Sequence, residues 1–251
     1  MKDSFCHPLK GWFLKQKEST KLLLHSIPAV VVALFVVSVI TMNILANKTI
    51  YQNKWLAIDG GILVSWLSFL CMDIITKHFG PKASVKITLL AMFINLLTCL
   101  IFYIVAKIPT PGMDFTAFNE LIGGTWYILL SSTIAFLCSG LVNIWLNFFV
   151  GKIFKKNPNG LFAFITRAYI STFIGQFLDN FIFSILTFTI FMPIYIGFSW
   201  TVLQCFTCAI LGALIELFCE AVFSPFGYYV SRKWQKDNVG EAYLNYVKEN
   251  A

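Results

Sequence analysis

Five acidic side chains, Asp59, Asp73, Asp179, Glu216 and Glu220, fall within long apolar stretches of the sequence. No lysine or arginine sits at comparable depth to neutralise them. A carboxylate at the centre of a bilayer has an apparent cost of ~2.5–3.5 kcal/mol, so it ordinarily has a function or a partner. Asp179 is the deepest, twelve residues beyond Arg167, or ~18 Å along a helix. Gln176 and Asn180 stand beside it, and Ser171, Gly175 and Asp179 recur every four residues on one stripe. Such a stripe lines a cavity or packs closely on another helix; Phe173, Phe177 and Phe181 point elsewhere.

The other acids have a functional and a structural reading each. Asp59 precedes Gly60-Gly61 and suits either a site or a helix N-terminus. Asp73 either serves a site or pairs with Lys77 four residues on. Glu216 and Glu220 share one helical face; Glu216 is deeper and leans to function, Glu220 lies near water and leans to structure. In the first apolar run Thr41, Asn43 and Asn47 form a polar group, from which Asn43 could meet a ligand or another helix.

Catalytic sets are not evident. The three histidines are His7, His25 and His78, none at helix depth beside a nucleophile. There is no H-E-x-x-H, no G-x-S-x-G and no G-x-x-x-x-G-K-[ST], so the chain is expected to hydrolyse no ATP itself. Ile58-Asp59-Gly60-Gly61 lacks the G-x-G-D of an intramembrane aspartyl protease. Cys205-Phe206-Thr207-Cys208 spells C-x-x-C without a second pair or a nearby histidine, and reads as buried small side chains. No metal site and no cofactor are expected.

The elements that must position these acids follow from composition. The chain has 251 residues, 58% hydrophobic and only 12% charged, with 26 phenylalanines and a mean hydropathy of +0.75. A soluble domain carries roughly a quarter charged residues, so a soluble enzyme is excluded. Seven cysteines, an odd number and mostly in apolar stretches, give no disulfide framework. The reading is an all-α, polytopic membrane protein in a single domain, residues 1–251. Runs of about 20 apolar residues predict six helices, about Leu22–Ala46, Trp55–Thr76, Ile87–Ala106, Thr125–Val150, Ala168–Phe191 and Trp200–Phe223. Residues 1–21 and 224–251 are the expected cytoplasmic tails. Phe191–Ser199, interrupted by Met192-Pro193 and Gly197, is expected to be a short outer turn or an interfacial lip. No internal repeat is evident.

Basic residues orient the bundle. With both ends cytoplasmic, only Lys48, Lys54 and Lys107 of the nineteen lie outside, as the positive-inside rule requires. The net charge of +7 then faces anionic lipid rather than nucleic acid. Lys10–Lys15, an amphipathic stretch around Trp12, is expected to lie on the inner leaflet. The first span is too long for a signal h-region.

Asn43, Asp59-Gly60-Gly61, Leu67-Ser68-Phe69, Asp73-Ile74-Ile75-Thr76 and Phe79-Gly80, followed by Arg167-Ala168, Ser171-Thr172, Gln176, Asp179, Phe183 and Pro225, carry a resemblance over about Asn43–Tyr229. The pattern resembles the putative vitamin uptake transporter family, also called the queuosine precursor transporters. Met42, Trp66 and Lys77 depart from it, where a serine, a proline and an acid are usual. A lysine usual in the last helix is absent; Glu216 and Glu220 stand in that helix. The resemblance implies a six-helix importer in the cytoplasmic (inner) membrane of a bacterium or archaeon. Its substrate would be 7-cyano-7-deazaguanine or 7-aminomethyl-7-deazaguanine, which supply queuosine modification of tRNA. On that reading Asp179 accepts the ring N–H and exocyclic NH2 of a guanine-like edge. Gln176, Asn180 and Asn43 would read the carbonyl and nitrile while phenylalanines stack on the ring. Asp59, Asp73 and Glu216 complete the candidate substrate site.

Two other classes remain open. A substrate-binding subunit of an energy-coupling-factor vitamin transporter has a similar outline, and Ala29 and Ala33 have the small-xxx-small spacing that suits a membrane partner subunit or a second copy of the chain. A membrane enzyme is the third.

Overall fold

Backbone groups in hydrocarbon must be satisfied within their own segment, and the apolar runs accordingly fold as helices. The structure, a computed structural model, describes residues 6–153 and 161–250; the side chains of Asp73, Lys77, Arg167, Ser171, Thr172 and Glu220 lie outside the described residues. The helices are α1 (Cys6–Ser26), α2 (Ala29–Leu45), α3 (Ile62–Phe79), α4 (Pro81–Ala106), α5 (Thr116–Ile153) and α6 (Leu161–Ser184). A π-helical segment, Ile185–Phe191, continues α6 into α7 (Met192–Tyr195), and α8 (Val202–Lys236) and α9 (Glu241–Glu249) complete the chain. The protein is a nearly all-α, multi-pass membrane protein. Among the described residues four helical stretches are long and apolar enough to cross a bilayer, and five if the α1–α2 pair is one span. Ile62–Thr76 is a shorter apolar helix.

Several boundaries differ from those the hydropathy suggests. The first run, expected as Leu22–Ala46, is broken: Leu14–Ser26 and Ala29–Leu45 meet at 102°. Pro28 lacks an N–H and pushes the preceding residue out of helical geometry. Leu23 and Ile27 therefore pack on Phe79, Trp234 and Tyr243 in a buried cluster. The second run, expected from Trp55, opens instead with an antiparallel hairpin of β1 (Thr49–Gln52) and β2 (Ala57–Asp59). Asn53 Oδ1 accepts from the amides of Trp55 and Leu56 at 2.8 and 2.7 Å, an Asx turn that closes the hairpin. At the fifth run the helix does not end at Phe191 but continues to Tyr195, so the turn is confined to about residues 196–201. Gly197 reverses the chain there with φ of 72°. Trp200 then stacks on Phe188, 3.7 Å between ring centroids. The last apolar run is continuous with a helix that goes on past Phe223 to Lys236, with Pro225 inside it; a Thr201–Gln204 capping box starts it.

These contacts define two ends. At the hairpin end, Gln204 Nε2 donates to Asn53 O (2.6 Å) and Trp200 Nε1 to Thr49 Oγ1 (3.2 Å). Thr207 Oγ1 also donates to Trp55 O. At the other, basic end, His78 Nε2 donates to Val239 O (2.8 Å), Lys86 Nζ to Ser19 Oγ (2.7 Å) and Tyr246 OH to Lys15 O (3.2 Å). Between the ends α2, α3, α4, α5, α6 and α8 pack side by side.

Candidate functional site: two hollows sharing a carboxylate layer

Side chains three and four apart on a helix fall on one face, and six inward faces meet halfway along the bundle. They enclose two hollows. The larger, about 280 Å³, lies toward the basic end, and its walls include Phe35, Trp66, Thr88, Phe136, Ser139 and Gln176. The smaller, about 70 Å³, lies toward the hairpin end, among Asn43, Asp59, Ser65, Asn180, Cys208 and Gly212. Five side chains border both: Met42, Phe69, Ser132, Asp179 and Glu216. On α2, α6 and α8 the order is the same, small-hollow residues nearer the hairpin and large-hollow residues nearer the basic end, with Met42, Asp179 or Glu216 between.

Asp59, Asp179 and Glu216 each accept a hydrogen bond. Ser139 Oγ on α5 donates to Asp179 Oδ1 at 2.9 Å. Asn180 Nδ2 on α6 donates to Glu216 Oε2 on α8 at 3.3 Å, and Glu216 is only 3% exposed. Asp59 closes β2, and its Oδ1 accepts from the Gly61 amide at 2.7 Å where α3 begins. That places Asp59 at a helix N-terminus, where backbone N–H groups favour an anion. Gly60 and Gly61 permit the hairpin to close on α2: a Cβ would come within 2.7 Å of Leu45 O at the first and 2.8 Å of Met42 O at the second.

Two amides are incompletely paired. Gln176, 6% exposed, lines the larger hollow, and Asn43, 2% exposed, the smaller. Among the described residues Gln176 Oε1 and Asn43 Nδ2 have no hydrogen-bond partner. A buried polar group left unpaired costs about 1–3 kcal/mol, so both positions favour a polar occupant. Trp66 supplies a flat wall, stacked on Phe223 at 4.6 Å and 14°.

Of the residues singled out from sequence, Asp179 and Glu216 thus border both hollows, Gln176 the larger, and Asn43, Asp59 and Asn180 the smaller. Asp73 lies in α3 and Glu220 in α8, with side chains outside the described residues. Sequence reading overlooked Ser132, Phe136 and Ser139. Their i, i+4, i+7 spacing puts them on one face of α5, and that was the signal available. Cys205 and Cys208 are buried and unbridged. Among the described residues no three His, Cys, Asp or Glu side chains converge as metal ligands.

The arrangement suits binding and passage of a small polar molecule. A profile of the putative vitamin uptake transporter family matches residues 59–230, more than half of the chain, from the carboxylate before α3 to the far part of α8. No curated protein and no solved structure matches the chain. A match of that extent makes this chain a member of the putative vitamin uptake transporter family, a small-molecule uptake transporter.

Proposed function

We propose that the chain imports a queuosine precursor, 7-cyano-7-deazaguanine or 7-aminomethyl-7-deazaguanine, across the cytoplasmic membrane of a prokaryote. The observation that carries this reading is Asp179 on the wall of a 280 Å³ hollow that Gln176 also lines, its Oε1 unpaired among the described residues. A carboxylate accepts paired N–H bonds from a guanine-like edge, and a second acceptor suits a further ring N–H. The hollow is near the lower bound of ligand pockets, ~300 Å³, which favours a compact flat heterocycle, and Trp66 supports stacking. The basic end faces the cytoplasm on the positive-inside rule, with six spans formed by α2, α3, α4, α5, α6 and α8.

The test is rescue of tRNA queuosine in cells unable to make deazapurines, supplied with traces of either precursor. Wild type restores the modification; Asp179→Asn inserts normally and largely abolishes it. Undiminished rescue by that variant removes Asp179 from the site, and no rescue with any deazapurine overturns the substrate. Ala29 and Ala33 are exposed on α2, which supports a second reading as a vitamin-binding subunit docked on a membrane partner. Uptake that depends on separate ATPase subunits would favour it.

A further inference from the structure

Asp59, Asp179 and Glu216 come from β2, α6 and α8 to border one 70 Å³ hollow. Among the described residues their hydrogen-bond partners are uncharged, among them the Gly61 amide, the Ser139 hydroxyl and the Asn180 carboxamide. On α6 and α8 the nearest basic residues are Arg167, twelve residues from Asp179, and Arg232, sixteen from Glu216, ~18 and ~24 Å away in helix rise; Lys48 and Lys54 of the hairpin lie nearer Asp59 and are exposed. The other titratable groups bordering either hollow, among the described residues, are Cys208 and Cys219 of α8. Three mutually repelling anions in a low-dielectric layer are costly, and at least one carboxyl group so placed binds a proton instead.

An independent observation points to an occupant of the hollow. Asn43, 2% exposed, lies on its wall with Nδ2 unpaired among the described residues. The hollow of about 70 Å³, with Asn43, Asp59, Asp179 and Glu216 on its wall, has room for water, which requires at least ~10–15 Å³ a molecule and two or more polar partners. A water there would lie between Glu216 and Asp59 on the hairpin side, while the larger hollow borders the same carboxyl on the basic side.

We infer that the transporter is a proton symporter in which Glu216, beside Asp179, carries one proton with each substrate molecule. A proton from water in the smaller hollow forms the O–H bond on the Glu216 carboxylate. That bond breaks to water in the larger hollow, so one proton moves from the hairpin side to the basic side per cycle. The inference goes beyond the importer reading and uses its substrate only as a probe.

The experiment uses the purified full chain in liposomes, with labelled 7-cyano-7-deazaguanine and the membrane potential clamped at zero. An imposed pH gradient drives wild-type accumulation of about tenfold per pH unit, one unit being 1.36 kcal/mol, and a protonophore collapses it. Glu216→Gln brings the steady-state ratio to unity whatever its uptake rate. Wild-type accumulation indifferent to the gradient, or gradient-driven accumulation by Glu216→Gln, overturns the inference. A substrate-free readout stands beside it: the wild-type minus Glu216→Gln infrared difference at neutral pH shows the C=O stretch of a protonated carboxyl. A difference spectrum with only carboxylate bands overturns the proton assignment. Failure of the importer reading has another signature, no entry of the probe even down its own gradient, and the infrared result then decides the proton carrier.

Discussion

Gly212 on α8 faces the Asn180 amide so closely that a Cβ at position 212 would lie 2.8 Å from Asn180 Nδ2. One turn along α8 the same Nδ2 donates to Glu216. The glycine is therefore the space through which α6 reaches the buried acid. Gly212→Ala pushes the amide away from Glu216 and removes one hydrogen bond between neutral groups, about 0.5–1.5 kcal/mol. Uptake is expected to fall by up to about tenfold, at 1.4 kcal/mol per decade. In an Asn180→Ala background the same change should cost little more, a non-additivity measured by a double-mutant cycle.

Gln176 gives a prediction in which stability and transport move in opposite directions. Its Oε1 is buried and unpaired among the described residues, a penalty of about 1–3 kcal/mol that an apolar side chain of similar size escapes. Gln176→Met should leave the thermal midpoint in detergent unchanged or higher, while precursor uptake falls. A variant that loses stability would mean that the amide serves the fold.

Gly240 lies between α8 and α9 with φ of 75°, the left-handed region that a side chain strains. A Cβ there would also collide with the Phe79 ring. Gly240→Ala should loosen α9 from the bundle and break the His78–Val239 contact next to it. Limited proteolysis should cut the segment around Asp237–Asn250 faster, with cleavage elsewhere unchanged. Equal protection in the variant would show that the ring yields without cost.

Hydropathy located the helices because lipid-facing backbone has few alternatives, but it located their beginnings poorly. Trp55-Leu56-Ala57-Ile58 is as apolar as the helix it precedes, so a hydropathy window merges β2 with α3. The cues to the hairpin were Thr49-Ile50-Tyr51, rich in strand formers, and the Asn53 turn. The π segment Ile185–Phe191 has no such cue; it contains Phe188, which packs on Trp200 in a contact across twelve residues. At the site, the acids stood out because charge is conspicuous in an apolar run. Ser139, which holds Asp179, did not, since serine is common in membrane helices as a small packing residue. Glu216 drew attention as an acid, but its pairing with Asn180 required the tertiary crossing of α6 and α8.

At the basic end α1 and α9 lie against one another, with Tyr246 OH donating to Lys15 O. The first and last described helices therefore lie side by side. Domains with neighbouring ends tolerate circular permutation, best at an exposed loop tip. A linker from α9 to α1, with new termini in the exposed 109–115 loop, would yield a rewired protein with the same bundle. Its ends would emerge at the opposite face, giving a handle for labels on that side.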